Sequence, residues 1–170
     1  DAMANYSIYL LECGDDSDLK EAAKYSKMAA EKGHKTAMAN YAEFLYNGIG
    51  IPMNIKEAAH YYKILADHDD VSSMFKYGKI LINGDGIEKN IDEGIKYLEM
   101  AVDNGCIKAM SYYGNLLVKG DKIQINLEKG INLIKLAADK GDPDALFHYG
   151  QLFENGIGVK VNKKKASKYY

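Results

Sequence analysis

Arginine is missing altogether: the 22 basic residues of this 170-residue chain are all lysine. The planar fork that grips phosphate or carboxylate through two parallel hydrogen bonds is therefore absent, and with it the commonest base-reading contact of nucleic-acid binders. A net charge of −2 adds no field that would draw in a polyanion, so no nucleic-acid partner is expected. The one basic patch, Lys160 to Lys168, reads as the solvated face of a last helix. The chain also lacks any run of about 18 apolar residues, and no basic-then-apolar leader precedes it. Neither a membrane span nor a membrane partner is expected. The setting this implies is cytoplasmic. The endoplasmic-reticulum lumen and secretion stay open, because the first residues already lie inside a repeated pattern and the native start can have been trimmed.

The chemistry of a catalyst is equally thin. His34, His60, His68 and His148 are scattered without ligand spacing. Ser17 to Lys20 and Ser73 to Lys76 both match the S-x-x-K form of serine β-lactamases, but the partner triplets of those enzymes are absent and Lys35-Thr-Ala is the nearest. Asp67-His-Asp-Asp70 reads as a solvated helix end rather than a cation site, and the sequon Asn5-Tyr-Ser7 falls in a helical pattern. No metal, cofactor or catalytic residue is assigned, and the chain is read as a non-enzyme.

What is present is a repeat. NGIGI at Asn47 to Ile51 recurs as NGDGI at Asn83 to Ile87 and as NGIGV at Asn155 to Val159, at spacings of 36 and 72 residues, and a blurred copy, KGDKI, stands at Lys119 to Ile123. In that register a helix opener stands at Ala2, Ala37, Ser73, Ala109 and Ala145, with gaps of 35, 36, 36 and 36. The single deficit falls between Cys13 and Asp18, in a loop. The repeats are therefore 1–36, 37–72, 73–108, 109–144 and a partial 145–170, all in one array. Tyrosines follow each opener at Tyr6, Tyr41, Tyr77, Tyr113 and Tyr149, with further apolar residues at offsets of three and four, the signature of a buried helix stripe. The next position is small in each copy (Ser7, Ala42, Gly78, Gly114, Gly150), which points to close approach of a neighbouring helix.

Gly48, Gly84, Gly120 and Gly156 supply left-handed stops for these first helices, and Gly50, Gly86 and Gly158 relax the turn that follows. A phosphate-cradling glycine loop would need a preceding strand, which the helical pattern denies. Second helices start at caps Asp18, Asn54, Asn90, Asn126 and Asn162, and Glu21, Glu57 and Glu93 complete capping boxes. They stop at Gly33, Gly105 and Gly141; in the second repeat Asp69 must take the glycine conformation, and an irregular bend is expected there. Helical pairs that cannot bury both faces alone must stack, so the fold class is all-α, an α-solenoid of helix-turn-helix repeats of about 36 residues in a right-handed superhelix. Cys13 and Cys106 occupy different repeats at different positions and are read as free thiols.

The alanine opener, the mid-helix tyrosine-glycine, the NGxGV/I turn, the KEAAxYYK-like second helix and the AAxxG exit together resemble the Sel-one-like repeat family, relatives of the tetratricopeptide repeats. The resemblance covers nearly the whole chain. It implies a non-catalytic scaffold or adaptor that binds a protein or peptide, with no cofactor; members stapled by disulfides carry two cysteines within a repeat, and this chain has no such pair. By the same resemblance the first helices line the concave side. Their polar columns, Ile8, Glu43, Lys79, Asn115, Gln151 and, a turn on, Glu12, Asn47, Asn83, Lys119, Asn155, become candidate partner contacts, since amides can bond an extended peptide backbone. Phe75 and Phe147, in a column otherwise Ala4, Ala39 and Ser111, would add apolar pockets. The plainer alternative is that these polar side chains solvate an exposed helix face. The rival function is a regulatory or spacer array within a larger signalling enzyme such as a kinase. The unfinished fifth repeat also suggests self-association through the C-terminal end.

Overall fold

The computed structural model describes residues 16–170, and among them every regular element is a helix: α1 (Asp16–Ala30), α2 (Lys35–Asn47), α3 (Ile55–Ala66), α4 (Val71–Asn83), α5 (Ile91–Asp103), α6 (Ile107–Lys119), α7 (Leu127–Asp139), α8 (Pro143–Asn155) and the short α9 (Lys163–Ala166). The readings at Ala2, Ala4, Tyr6, Ile8, Glu12, Cys13 and the Asn5 sequon lie outside the described residues. Contacts divide the chain into two compact units, Asp1–Asn90 and Ile91–Tyr170. In the first, α1, α2, α3 and α4 pack in succession; in the second, α5 to α9 do so, and α6 also touches α8.

The expected openers are not the first residues of their helices. Each first helix begins two residues earlier, so Ala37, Ser73, Ala109 and Ala145 are third residues, all buried. In two of the four the reason is a cap that the periodic reading passed over. Asp70 and Asp142 accept hydrogen bonds from the backbone N–H of Ser73 (2.7 Å) and Ala145 (2.8 Å), and Pro143 sits at the first helical position, where its missing N–H is harmless.

The tyrosine stripe is buried in every described copy: Tyr41, Tyr77, Tyr113 and Tyr149. In α3, however, the fully buried ring belongs to Tyr62, while Tyr61 is half-buried and meets Tyr41 edge-on at 5.4 Å. The small mid-helix position is used for close packing in the second unit. Gly114 of α6 and Gly130 of α7 face each other so closely that a Cβ on either would stand 2.9 Å from the other's carbonyl oxygen.

Each glycine turn closes by the same bonds. Gly48, Gly84, Gly120 and Gly156 adopt φ between 66° and 76° and return their N–H to Phe44, Ile80, Leu116 and Leu152. The chain then doubles back until Asn54, Asn90, Asn126 and Asn162 donate their backbone N–H to Leu45, Leu81, Leu117 and Phe153, at 2.8, 3.0, 3.0 and 2.8 Å. Each acceptor is the third residue from the end of its helix, a carbonyl left without an intrahelical partner.

Asn54, Asn126 and Asn162 cap their helices as expected, accepting from Glu57, Lys129 and Lys165. The capping box needs correction. The Asn54 backbone N–H is already committed to Leu45, so the Glu57 carboxylate accepts instead from the Asn54 side-chain amide at 2.9 Å. Asp18 is not a cap either: α1 starts at Asp16, which makes Asp18 its third residue. Nor is the second repeat's exit irregular. Asp69 takes φ 65°, and the bonds of His68, Asp69 and Asp70 to Leu65, Ala66 and Leu65 repeat those of Lys32, Gly33 and His34 to Ala29, Ala30 and Ala29. A short polar side chain tolerates the left-handed region, so the backbone need not bend.

Filling the Gly114–Gly130 contact tests this packing. Gly114→Ala should lower stability by about 1–3 kcal/mol despite alanine's better helix propensity, read as a lower urea midpoint at an unchanged slope; an equal or higher midpoint would refute the close approach.

Candidate functional site

The first-helix columns fall in two separate sets, one per unit. In the first unit, Glu43 is half-buried on α2 and serves as a hub. Its carboxylate accepts from the Tyr62 hydroxyl (2.8 Å) and the Asn47 amide (3.0 Å) and pairs with the Lys76 ammonium, which also lies 5.2 Å from the centre of the Tyr62 ring. Glu43, Tyr62 and Lys76 thereby tie α2, α3 and α4 together. Burial works to raise the Glu43 carboxyl, but hydrogen bonds from Lys76, Tyr62 and Asn47 hold it below its ordinary value. Burial and the Glu43 carboxylate push the Tyr62 phenol up. Asn47 thus turns back on Glu43, and Asn83 donates to the Asp85 carboxylate at 3.0 Å. Phe75 and Lys79 are half-buried on α4.

The second unit leaves its column more open. Asn115 and Lys119 on α6 and Asn155 on α8 bond no other described side chain, and Lys119 and Asn155 are exposed. Gln151 accepts weakly from His148 at 3.4 Å. Phe147 is 50% exposed, its ring 5.7 Å from that of Tyr170. Tyr170 also lies across Gly150, where a Cβ would stand 2.7 Å from its ring, and donates to Glu154 at 2.7 Å. With Tyr169 packed 4.9 Å from Tyr149, the C-terminal residues cover the Gly150 side of α8 and leave Asn155 exposed.

A second hub was invisible to the register. Glu99 of α5 accepts from the Tyr113 hydroxyl (3.0 Å) and the Lys129 ammonium (2.7 Å), and Lys129 stands 5.0 Å over the Tyr113 ring. The chemistry repeats that of Glu43, Tyr62 and Lys76, yet the residues occupy different repeat positions, so no periodic reading could pair them. The Lys129 bond holds the Glu99 carboxyl below its usual range, and the Glu99 bond raises the Lys129 ammonium.

Other motifs are absorbed by structure. Ser73 is buried and its S-x-x-K lysine, Lys76, is paired with Glu43; Asp67 pairs with Lys63 at 2.7 Å, His68 bonds the Ile64 carbonyl and Asp70 caps α4. Among the described residues no group of three or more His, Cys, Asp or Glu side chains is placed to hold a metal ion, and no helix is long and apolar enough to cross a membrane.

Hairpins closed by the same glycine turn and the same cap at a 36-residue interval define a class, the Sel1-type helical repeat proteins. The Sel1 repeat family model matches residues 1–34, 35–70, 71–106, 107–142 and 143–170 in succession, and the chain belongs to that family. Among solved structures it is similar to a Sel1 repeat protein from Oxalobacter formigenes, at 25% identity and a TM-score of 0.80 over 99% of this chain and 66% of that one. It is also similar to c5321, a protective antigen of uropathogenic Escherichia coli with this repeat fold, at 20% identity and a TM-score of 0.79 over 99% of this chain and 36% of that one. A third likeness is to the immunity protein Pa5087 of Pseudomonas aeruginosa, at 24% identity and a TM-score of 0.63, covering 89% of this chain and 56% of that one. The chain thus spans less than two thirds of the length of some of these relatives and no more than 66% of any of the three. A search of curated proteins gives no match. Sel1 repeat proteins are generally non-catalytic scaffolds for protein–protein interaction, and the fold here is theirs, an all-α helical solenoid repeat.

The depressed Glu43 carboxyl implies a pH dependence of definite sign. A carboxyl lowered on folding stabilises the protein above its unfolded value, and that contribution is lost as pH falls through the folded value. With both partners part-exposed, Glu43→Gln should cost about 1 kcal/mol or less at pH 7, with wild type and variant converging only once the pH falls below the depressed folded value of the Glu43 carboxyl. Urea unfolding at pH 7 and below that value measures it; a gap that persists there would contradict the account.

Proposed function

We propose that the chain is a non-catalytic scaffold whose first-helix face binds an extended, carboxylate-bearing segment of a partner protein. The observation that supports this reading is the open column of the second unit. Asn115, Lys119 and Asn155 carry hydrogen-bonding groups with no described internal partner, and Phe147 on α8 is half exposed. Amides on this face would bond the partner's backbone, Lys119 would attract its carboxylate, and Phe147 would receive an apolar side chain. In the first unit Phe75, Lys79 and Asn83 hold the corresponding positions on α4, with the Asn83 amide engaged by Asp85, while Glu43 and Asn47 satisfy each other and set a negative boundary.

An exposed lysine contributes only about 0–1 kcal/mol to stability, so reversing its charge should leave the fold intact while repelling an acidic partner. Affinity purification from the source cell with wild-type, Lys79→Glu and Lys119→Glu proteins should show the acidic partner lost from the variants, with unchanged circular dichroism. Identical partner sets from equally folded proteins would remove this face from contention.

A further inference from the structure

The first unit holds a cleft that none of the predicted contact residues lines. It has a volume of about 540 Å³ and opens between α1 and the loop joining α2 to α3. One wall is a lysine row, Lys20, Lys24 and Lys27, spaced four and three apart on α1. All three are exposed, and none bonds or pairs with another described residue. The opposite wall is apolar: Pro52 is exposed, and Met53 is 64% exposed. Glu57 is the single acid in the lining, and its carboxylate is already taken by the Asn54 amide (2.9 Å) and the Tyr41 hydroxyl (3.3 Å). Three lysines against one glutamate leave the lining at +2.

The fold does not require this row. At the same repeat positions the other full second helices carry Lys56, His60 and Lys63; Asp92, Lys96 and Glu99; and Glu128, Asn132 and Lys135. The helix face therefore accepts either sign of charge, and Lys63 is paired with Asp67, as Glu99 is with Lys129. Only α1 sets three uncommitted lysines beside an apolar wall.

From this juxtaposition we propose that the cleft docks an extended segment of a partner protein in which acidic and apolar residues alternate. The lysine spacing is short of a strand's repeat by a few ångströms at most, which flexible lysine side chains can span. Lys20 and Lys24 are separated by about 6 Å of helix rise, and Lys24 and Lys27 by about 4.5 Å. Alternate side chains of an extended chain lie about 7 Å apart on one face, and the intervening ones point the opposite way. A segment lying along α1 sets its carboxylates on the lysine row and its apolar side chains on Pro52 and Met53. The site is separate from the first-helix face, and its test does not depend on that reading.

Fluorescence anisotropy on the full chain with labelled Gly-Glu-Leu-Glu-Leu-Glu decides it. Binding is expected that weakens at least tenfold when glutamine replaces each glutamate or serine each leucine. Lys24→Glu/Lys27→Glu should weaken it tenfold or more and Met53→Ser about threefold, with unchanged melting, whereas Lys119→Glu should leave it unchanged. Absence of binding, equal binding of the glutamine peptide, indifference to the Lys24/Lys27 reversal, or loss through Lys119→Glu would each overturn the proposal. So would equally tight binding of a single-stranded oligonucleotide of the same charge, which would mark a general polyanion surface.

Discussion

Each described hairpin of this protein depends on one backbone bond that crosses its turn. A helix leaves its last carbonyls unpaired, and a chain that reverses over a few residues must find donors for them or hand them to water. Here the N–H of the residue capping the second helix crosses back to the carbonyl three from the end of the first, from Asn54 to Leu45 and on through Asn90, Asn126 and Asn162. The same residue's side chain caps the second helix at Asn54, Asn126 and Asn162. One asparagine thus ends one helix, begins the next and fixes the distance between them. The left-handed glycine is the condition for this, because without its reversal the asparagine would not reach.

The second glycine of the turn answers to the preceding repeat. A Cβ on Gly50 would stand 2.5 Å from the Leu19 backbone, one on Gly86 would stand 3.0 Å from the Ile55 Cβ, and one on Gly158 would stand 2.4 Å from the Ile131 side chain. In each case the turn seats against the second helix of the repeat before it, so bare backbone at that point serves stacking rather than turn geometry alone. KGDKI puts Lys122 where this glycine stands in the other copies. Asp69 is the one non-glycine with positive φ among the described residues, so Lys122 follows a different path from its counterparts. In the same turn the Asp121 N–H does not make the second closing bond that Ile49, Asp85 and Ile157 make to Phe44, Ile80 and Leu152.

Periodicity made the fold legible, and it also set the limit of what could be read. Stops, tyrosines and asparagine caps recur at one interval because every repeat must solve the same backbone problem. The Asp70 and Asp142 caps do not recur, since His34 and Cys106 hold the same place without a side-chain bond, and so the first helices were expected two residues late. The Asp69 exit was expected to bend because glycine was missing, but a backbone that tolerates aspartate in the left-handed region keeps its bonds. The Glu43 and Glu99 hubs escaped for a deeper reason: each joins residues of three helices, at positions unrelated by the repeat. Of the candidate contacts, Glu43 and Asn47 proved to face each other, which spacing alone could not reveal.

Function in such an array lies in its departures from the repeat, because positions that every unit shares serve stacking. The lysine row of α1 and Asn115 and Lys119 of α6 are departures of this kind. The account rests on the closing bond that holds each hairpin to one geometry, and native-state hydrogen exchange observes that bond directly. Asn54, Asn90, Asn126 and Asn162 are all exposed residues, so their amide protons should exchange at solvent rates unless the bonds form. The account predicts protection comparable to the interior helix amides of the same repeats. Exchange of these four amides at the rate of an open loop would contradict it.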